Sequence, residues 1–308
     1  MLSLQGASPV HIALAYHPAM GKDSRPRRKR AQERQDRDAR ARSVPAEASI
    51  AERSPEPVLS KYGVVPIPDL PGPVEKFHLR IVTDILEGYD GCANSVGVDR
   101  ATRSWHRHHD GFAASRPGAL NFGGTEKRLA CTPGCNHCCR SPVGVVAAEA
   151  VLIADFVDRT FSAQDRIELR RRMDGRKAGL QGRDALRTYS LCPLNADGAC
   201  LVYDVRPYNC RMFHSFDVDA CERRFVAGDP HQGLPIDPVR QQYDLLIAAS
   251  ASVAFKALKL DMRLLEFMAA LEIALAAGDD RSERFAAGED LFVGLPTVPR
   301  ASREAASC

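Results

Sequence analysis

The chain has 308 residues, 44% hydrophobic and 26% charged, with a formal net charge of +3. That composition suits a soluble core, and no run reaches the ~18–20 uninterrupted apolar residues of a membrane span. A net six positive charges fall within residues 22–42 alone, so the remainder is mildly acidic and has no general bias toward nucleic acid.

Residues 1–60 lack sustained periodicity and are rich in Arg, Ala, Ser, Pro and Glu, the composition of a disordered basic arm. The run Arg25-Pro-Arg-Arg-Lys-Arg30 gives this arm at most a weak affinity for nucleic acid or anionic surfaces. No basic residue precedes the short apolar run at 10–16, so no signal peptide is expected and the chain reads as cytoplasmic.

A lead-in segment, 61–126, begins with a helix that Pro73 opens. Its apolar face is Phe77, Ile81, Val82 and Ile85, and Gly88 is its expected stop. Residues 89–126 look loop-rich and include Trp105-His-Arg-His-His-Asp110, in which His106 and His109 could share a helical face. Helical spacing resumes with Val146, Ala150, Ile153 and Val157. A second helix starts at Ser162, with Asp165 at capping-box spacing. Residues 191–203 read as a short β-hairpin turning at Asp197-Gly198.

The segment 226–280 reads as a helical hairpin. Asp237 and Pro238 open its first helix, with Val239, Tyr243, Leu246, Val253 and Ala257 on one face. Asp261 caps the second, with Leu264, Met268, Leu271 and Leu275, and Gly278 closes it. Residues 281–308 read as a flexible tail. The expected fold is mainly α: a small helical domain with an irregular metal-bound cysteine cluster, a short β-hairpin and a disordered arm.

Of ten cysteines, eight lie between 131 and 221. Cys131-Thr-Pro-Gly-Cys135-Asn-His-Cys138-Cys139 is followed by Cys192, Cys200, Cys210 and Cys221. Thiols at short fixed spacings joined by tight turns bind a soft metal or form disulfides, and a reducing compartment favours the metal. Pro133-Gly134 and Asp197-Gly198 are turn signatures that bring sulfurs together. The vicinal Cys138 and Cys139 should point apart, suiting a multi-iron cluster or two neighbouring sites rather than one tetrahedral ion. Four thiolates on Zn²⁺ or on a [4Fe–4S]²⁺ cluster leave a net charge of about −2, which nearby cations must offset. Arg140, Arg206 and Arg211, each close to a cysteine in sequence, are the expected counter-charges. His137 and His214 are possible extra ligands, Cys92 and Cys308 the free thiols, and Cys221 the least tied to the rest.

The order Cys131-x3-Cys135-x2-Cys138-Cys139, Glu149-Ala150, Cys192-Pro193, Gly198-x-Cys200-x2-Tyr203-x2-Arg206-Pro207-x2-Cys210-Arg211 resembles the YkgJ-type cysteine-cluster family. The likeness covers residues 127–225. It departs in a shorter Cys192 to Cys200 spacing, in lacking Phe after Pro193, and in Ala148 where Thr or Ser is usual. The resemblance implies a zinc- or iron-chelating domain. Flagellin lysine-N-methylase, a relative of that family associated with an iron–sulfur cluster, tips the expected cofactor toward iron–sulfur over zinc. Three functions follow: a metal-chelating protein, an iron–sulfur S-adenosylmethionine-dependent methylase-like enzyme with a protein substrate, or a zinc-stapled interaction module. Cys131-x3-Cys135-x2-Cys138 also matches the radical S-adenosylmethionine spacing, but the mostly helical remainder lacks the strand–helix series of that fold.

Overall fold

The computed structural model describes residues 54–65, 70–89, 94–132 and 134–298. The basic run, Cys92, Pro133 and Cys308 lie outside the described residues.

Helices dominate. α1 (Glu56–Lys61), α2 (Gly72–Tyr89) and α3 (Ser95–Ser115) come first. The hairpin β1 (Ala119–Phe122) and β2 (Thr125–Arg128) follows them. A 3-10 turn (His137–Arg140) and strand β3 (Gly144–Val146) lead into α4 (Ala147–Thr160) and α5 (Ala163–Leu180). The second hairpin is β4 (Asn195–Ala196) and β5 (Ala199–Cys200), with register Asn195 opposite Cys200. A 3-10 turn (Tyr203–Val205), α6 (Tyr208–Met212) and α7 (Val218–Phe225) complete the cysteine-bearing part. α8 (Pro238–Ala257), β6 (Leu264–Glu266), α9 (Phe267–Ala276) and α10 (Arg281–Ala286) close the chain.

The core forms where α2 packs on α3 and α8, and α4 packs on α9 and α3. Ile81, Ile85, Leu86, Ile153, Ile247, Phe255, Leu265 and Leu271 are all fully buried there. The apolar stripe of α2 is the one its spacing predicts. Gly88 does not end that helix, which runs to Tyr89. Its missing side chain instead lets α3 approach, since a Cβ there would lie 3.3 Å from the Arg100 backbone.

Several elements differ from expectation, beginning with α1, which falls within the arm expected to be disordered up to residue 60 and buries Leu59. Residues 95–115 form a helix of 21 residues, not a loop, capped where Asn94 Oδ1 accepts from the Val96 and Gly97 amides. Residues 144–146 are a strand, and they pair antiparallel with 264–266. The last long helix therefore starts at Phe267, where Glu266 accepts from the Ala269 amide, and Asp261 does not cap it. Leu265 also bridges to Thr297, and Arg281 clamps Asp155 and Asp158 at 2.9 and 2.6 Å, so the segment after Gly278 is tied to the core through residue 297.

Candidate metal centre

Seven cysteines line one cavity of about 470 Å³: Cys131, Cys135, Cys138, Cys139, Cys192, Cys200 and Cys210. Two chain segments separated by α4 and α5 supply them, and three backbone devices join those segments.

The first device is in the 131–140 loop. Cys135 N–H donates to the Thr132 carbonyl at 3.0 Å around Gly134, whose φ is +87°. Cys139 N–H donates to the Asn136 carbonyl at 3.1 Å, starting the 3-10 turn. The second device is direct pairing of the two segments. Cys192 N–H donates to the Cys139 carbonyl at 2.8 Å, and Ser190 N–H to the Arg140 carbonyl at 2.9 Å. The third is the β4–β5 turn at Asp197 (φ +52°) and Gly198 (φ +83°). A Cβ on Gly198 would lie 3.2 Å from the Gly134 carbonyl oxygen, so the two cysteine turns abut.

Glu149 positions the last of the seven. Its buried carboxylate accepts from Val146 N–H (3.1 Å), Tyr208 N–H (2.5 Å) and His106 Nε2 (2.8 Å). One side chain thus fixes α3, the start of α4 and the start of α6, which presents Cys210. His106 is therefore spent on Glu149.

The electrostatics of the thiols oppose their ionisation. Burial, then the neighbouring thiols, pushes Cys192 up to about 12 and Cys200 up to about 11, and pushes Cys210 well above the usual thiol value. The neighbouring Cys138 and Cys139 thiols act on each other, which raises Cys138 and lowers Cys139 to about 7. Asn195 Nδ2 donates to Cys139 Sγ at 3.5 Å. Cys139 is thus the readiest thiolate of the group. The backbone at Leu194 and Val202 partly offsets the rise at Cys192 and Cys200. Hydrogen-bond donors, and a bound cation, are what a buried thiolate needs.

Of the three arginines picked out by sequence, two line the cavity and Arg140 does not. Arg206 stacks on the Tyr203 ring at 3.8 Å, and its buried Nη1 has no hydrogen-bond partner. Arg211 is buried, bonded to Asp110 at 2.6 Å and to the Arg206 and Asp204 carbonyls at 3.0 and 2.8 Å. Two further wall residues, Arg176 and Arg240, escaped sequence reasoning because neither is near a cysteine in the chain, and His109, noted there only for its helical face, joins them. Arg240 Nη2 donates to the Arg211 carbonyl at 3.1 Å, while its buried Nε makes no hydrogen bond and lies 3.8 Å from Asp244 Oδ2. His109 Nε2 lies 3.4 Å from Asp244 Oδ1, in ion-pair range but not aligned as a hydrogen bond.

His214 lines the cavity too, yet both of its ring nitrogens are engaged. Nδ1 donates to the Met212 carbonyl at 2.9 Å, and Nε2 accepts from Asp237 N–H at 2.9 Å. His137 sits in the 3-10 turn with a buried, unpartnered Nδ1, away from the lining. Cys221, on α7, is buried and outside the lining, but its thiol neighbours Cys135 and the Ser215 hydroxyl. Among the described residues, no three His, Cys, Asp or Glu side chains are gathered tightly enough to hold one ion as they stand.

Compared with known proteins, the chain matches no family model, and no curated protein or solved structure is significantly similar to it.

Proposed function

We propose that the chain is a cytoplasmic metal-chelating cysteine-cluster protein of the YkgJ type, binding an iron–sulfur centre in preference to zinc. One observation carries the reading: seven thiols from two distant segments line a single cavity, and the segments are hydrogen-bonded to each other at Cys139 and Cys192. The donor set is all soft sulfur, which suits Zn²⁺ or iron–sulfur and disfavours hard cations. Arg206 and Arg240, each with a buried N–H that makes no hydrogen bond, supply counter-charge to the thiols. Among the described residues no helix is long and apolar enough to cross a membrane, which agrees with a protein that works in water.

Anaerobic purification with iron, zinc and acid-labile sulfide assays tests this. Iron with matching sulfide is expected. A colourless protein with zinc alone removes the iron–sulfur preference, and a folded, metal-free protein removes the chelation reading.

A second reading, the methylase-like iron–sulfur enzyme, draws on the size and wall of the cavity. Its ~470 Å³ is in the range of small-molecule sites. It extends past the thiols to His109 and Arg240, groups suited to holding a proton and an anion. S-adenosylmethionine cleavage by the reduced protein distinguishes this enzyme from a carrier.

A further inference from the structure

We infer that Asn195 is a positioning residue of the metal centre, donating its side-chain amide to the Cys139 sulfur and joining the two cysteine segments at one point. The inference rests on the chelation reading above, and it names the group that orients and tunes one of the thiolates.

Asn195 stands in the two-residue strand β4 with both backbone groups committed. Its N–H donates to the Cys192 carbonyl at 2.9 Å, and its carbonyl accepts from Arg172 Nη1 at 3.2 Å. Arg172 is itself held on α5 by the Glu168 carbonyl and carboxylate, at 3.4 and 3.6 Å. Across the hairpin Asn195 is the register partner of Cys200, and directly opposed residues put their side chains on the same face. Both line the cavity. The Asn195 side chain, in a residue only 6% exposed, then crosses to the other segment, where Nδ2 lies 3.5 Å from Cys139 Sγ. The bond from Cys192 N–H to the Cys139 carbonyl, at 2.8 Å, joins the same two segments. Asn195 thus meets Cys192 through its main chain, Cys200 through strand pairing and Cys139 through its side chain.

The chemistry of the pair fixes the direction of the amide. A metal-bound thiolate has lone pairs and no proton, so the amide nitrogen, not the oxygen, must face it. Such a donor draws charge from the sulfur. It steadies the thiolate in a buried site, restrains its nucleophilicity and raises the reduction potential of an iron–sulfur centre. Sequence spacing hides this role, because an Asn two residues before Asp197-Gly198 reads as an ordinary turn residue.

Two variants of the full-length protein test the inference. Asn195→Leu keeps the approximate shape and removes the donor, while Arg172→Leu loosens the same strand and keeps the donor. In Asn195→Leu, affinity for the bound metal against a competing chelator should fall about 10–100-fold, the usual effect of removing a partner of a metal ligand. Alkylation of the loaded protein by iodoacetamide, mapped by peptide mass spectrometry, should rise at Cys139 more than at Cys192 or Cys200. For an iron–sulfur centre the reduction potential should also fall. Arg172→Leu should leave the potential and the Cys139 preference as in wild type, and the metal-free helical signal should be the same in all three proteins. Equal effects in the two variants, a rise spread evenly over the cysteines, or loss of the helical signal in Asn195→Leu overturns the inference while leaving chelation standing. Wild-type protein that binds no metal overturns the chelation reading, and this inference with it.

Discussion

His109 and Asp244 meet behind the cysteine cavity, each 1% exposed at the side chain, and neither is ionised in the ordinary way. Burial lifts the Asp244 carboxyl from 3.8 to about 7, and Arg240 only partly opposes this. Between about pH 4 and 7 the folded protein keeps a proton that the unfolded chain has lost, so this group's contribution declines as pH rises through that window. Burial holds His109 at about 4 against its usual 6.5, despite the Asp110 hydrogen bond. Between about pH 4 and 6.5 the unfolded chain therefore binds the extra proton, and this contribution grows as pH rises. The two slopes oppose each other, so the pair is nearly silent in the wild-type protein. Relative to wild type, Asp244→Asn should gain thermal stability progressively from about pH 4 to 7 and hold the gain above that. His109→Gln should gain at about pH 4 and lose the advantage by about pH 6.5. Thermal melts of the three proteins across pH check this, and parallel, pH-independent shifts in both variants would sink it.

At the scale of elements, the hairpin at 195–200 binds the two cysteine segments into one cavity through a single close approach. Gly198 has φ +83° and faces the Gly134 carbonyl where a Cβ would lie at 3.2 Å. Gly198→Ala adds left-handed strain of roughly 1–2 kcal/mol and pushes the two turns apart. The expected outcome is a loss of metal content larger than that modest destabilisation implies, read by elemental analysis beside denaturant unfolding. Gly134→Ala has φ +87° but open space around it, so it carries the strain alone and should retain more metal. Equal metal loss in the two variants would show that the contact between the turns is immaterial. This hairpin was legible in the sequence because Asp-Gly between short apolar runs has one dominant meaning. So was α2 with its apolar stripe, and so was α8 from its Asp237 cap, although the face α8 buries includes Asp244, Ile247, Ala251, Ala254 and Phe255 and the expected Val239 is exposed. α3 was not, because beside Val98 and Trp105 its buried face is built from Gly97, Ala101, Thr102, Ser104, His106 and His109, small and polar residues that show no apolar stripe. Tertiary partners such as Glu149 for His106 and the Asp84 carbonyl for Ser104 satisfy those polar groups, and no local pattern announces them. β3 and β6 escaped because three-residue strands are too short to display alternation, and they exist through their pairing with each other. In the candidate site the ligand types were legible one by one. Their grouping was not, since it depends on how residues 140–190 return the chain to its starting point.

For the molecule as a whole, the apolar core reaches under the cysteine cavity through Leu194, Val202, Val205 and Tyr208, but most of it comes from other parts of the chain. α2, α3, α8 and the α4–α9 pair supply most of its buried residues, none of them a cysteine. The cysteine loops, by contrast, are held by turns, short hairpins and backbone bonds around thiols whose ionisation burial opposes. Small metal domains without such a core unfold entirely when stripped, because binding energy is their folding energy. Here stripping the metal with a chelator under reducing conditions should leave most of the far-ultraviolet helical signal intact. Amide protection should fall in residues 131–141 and 190–225, while α2 and α8 stay protected, as expected when local opening follows the least apolar contacts. The apparent Tm should drop, with restoration on adding back metal and, for an iron–sulfur centre, sulfide. Cooperative loss of the whole helical signal on chelation would mean that the cysteine cavity and the helical core fold as one unit, and the separation argued from the packing would be wrong.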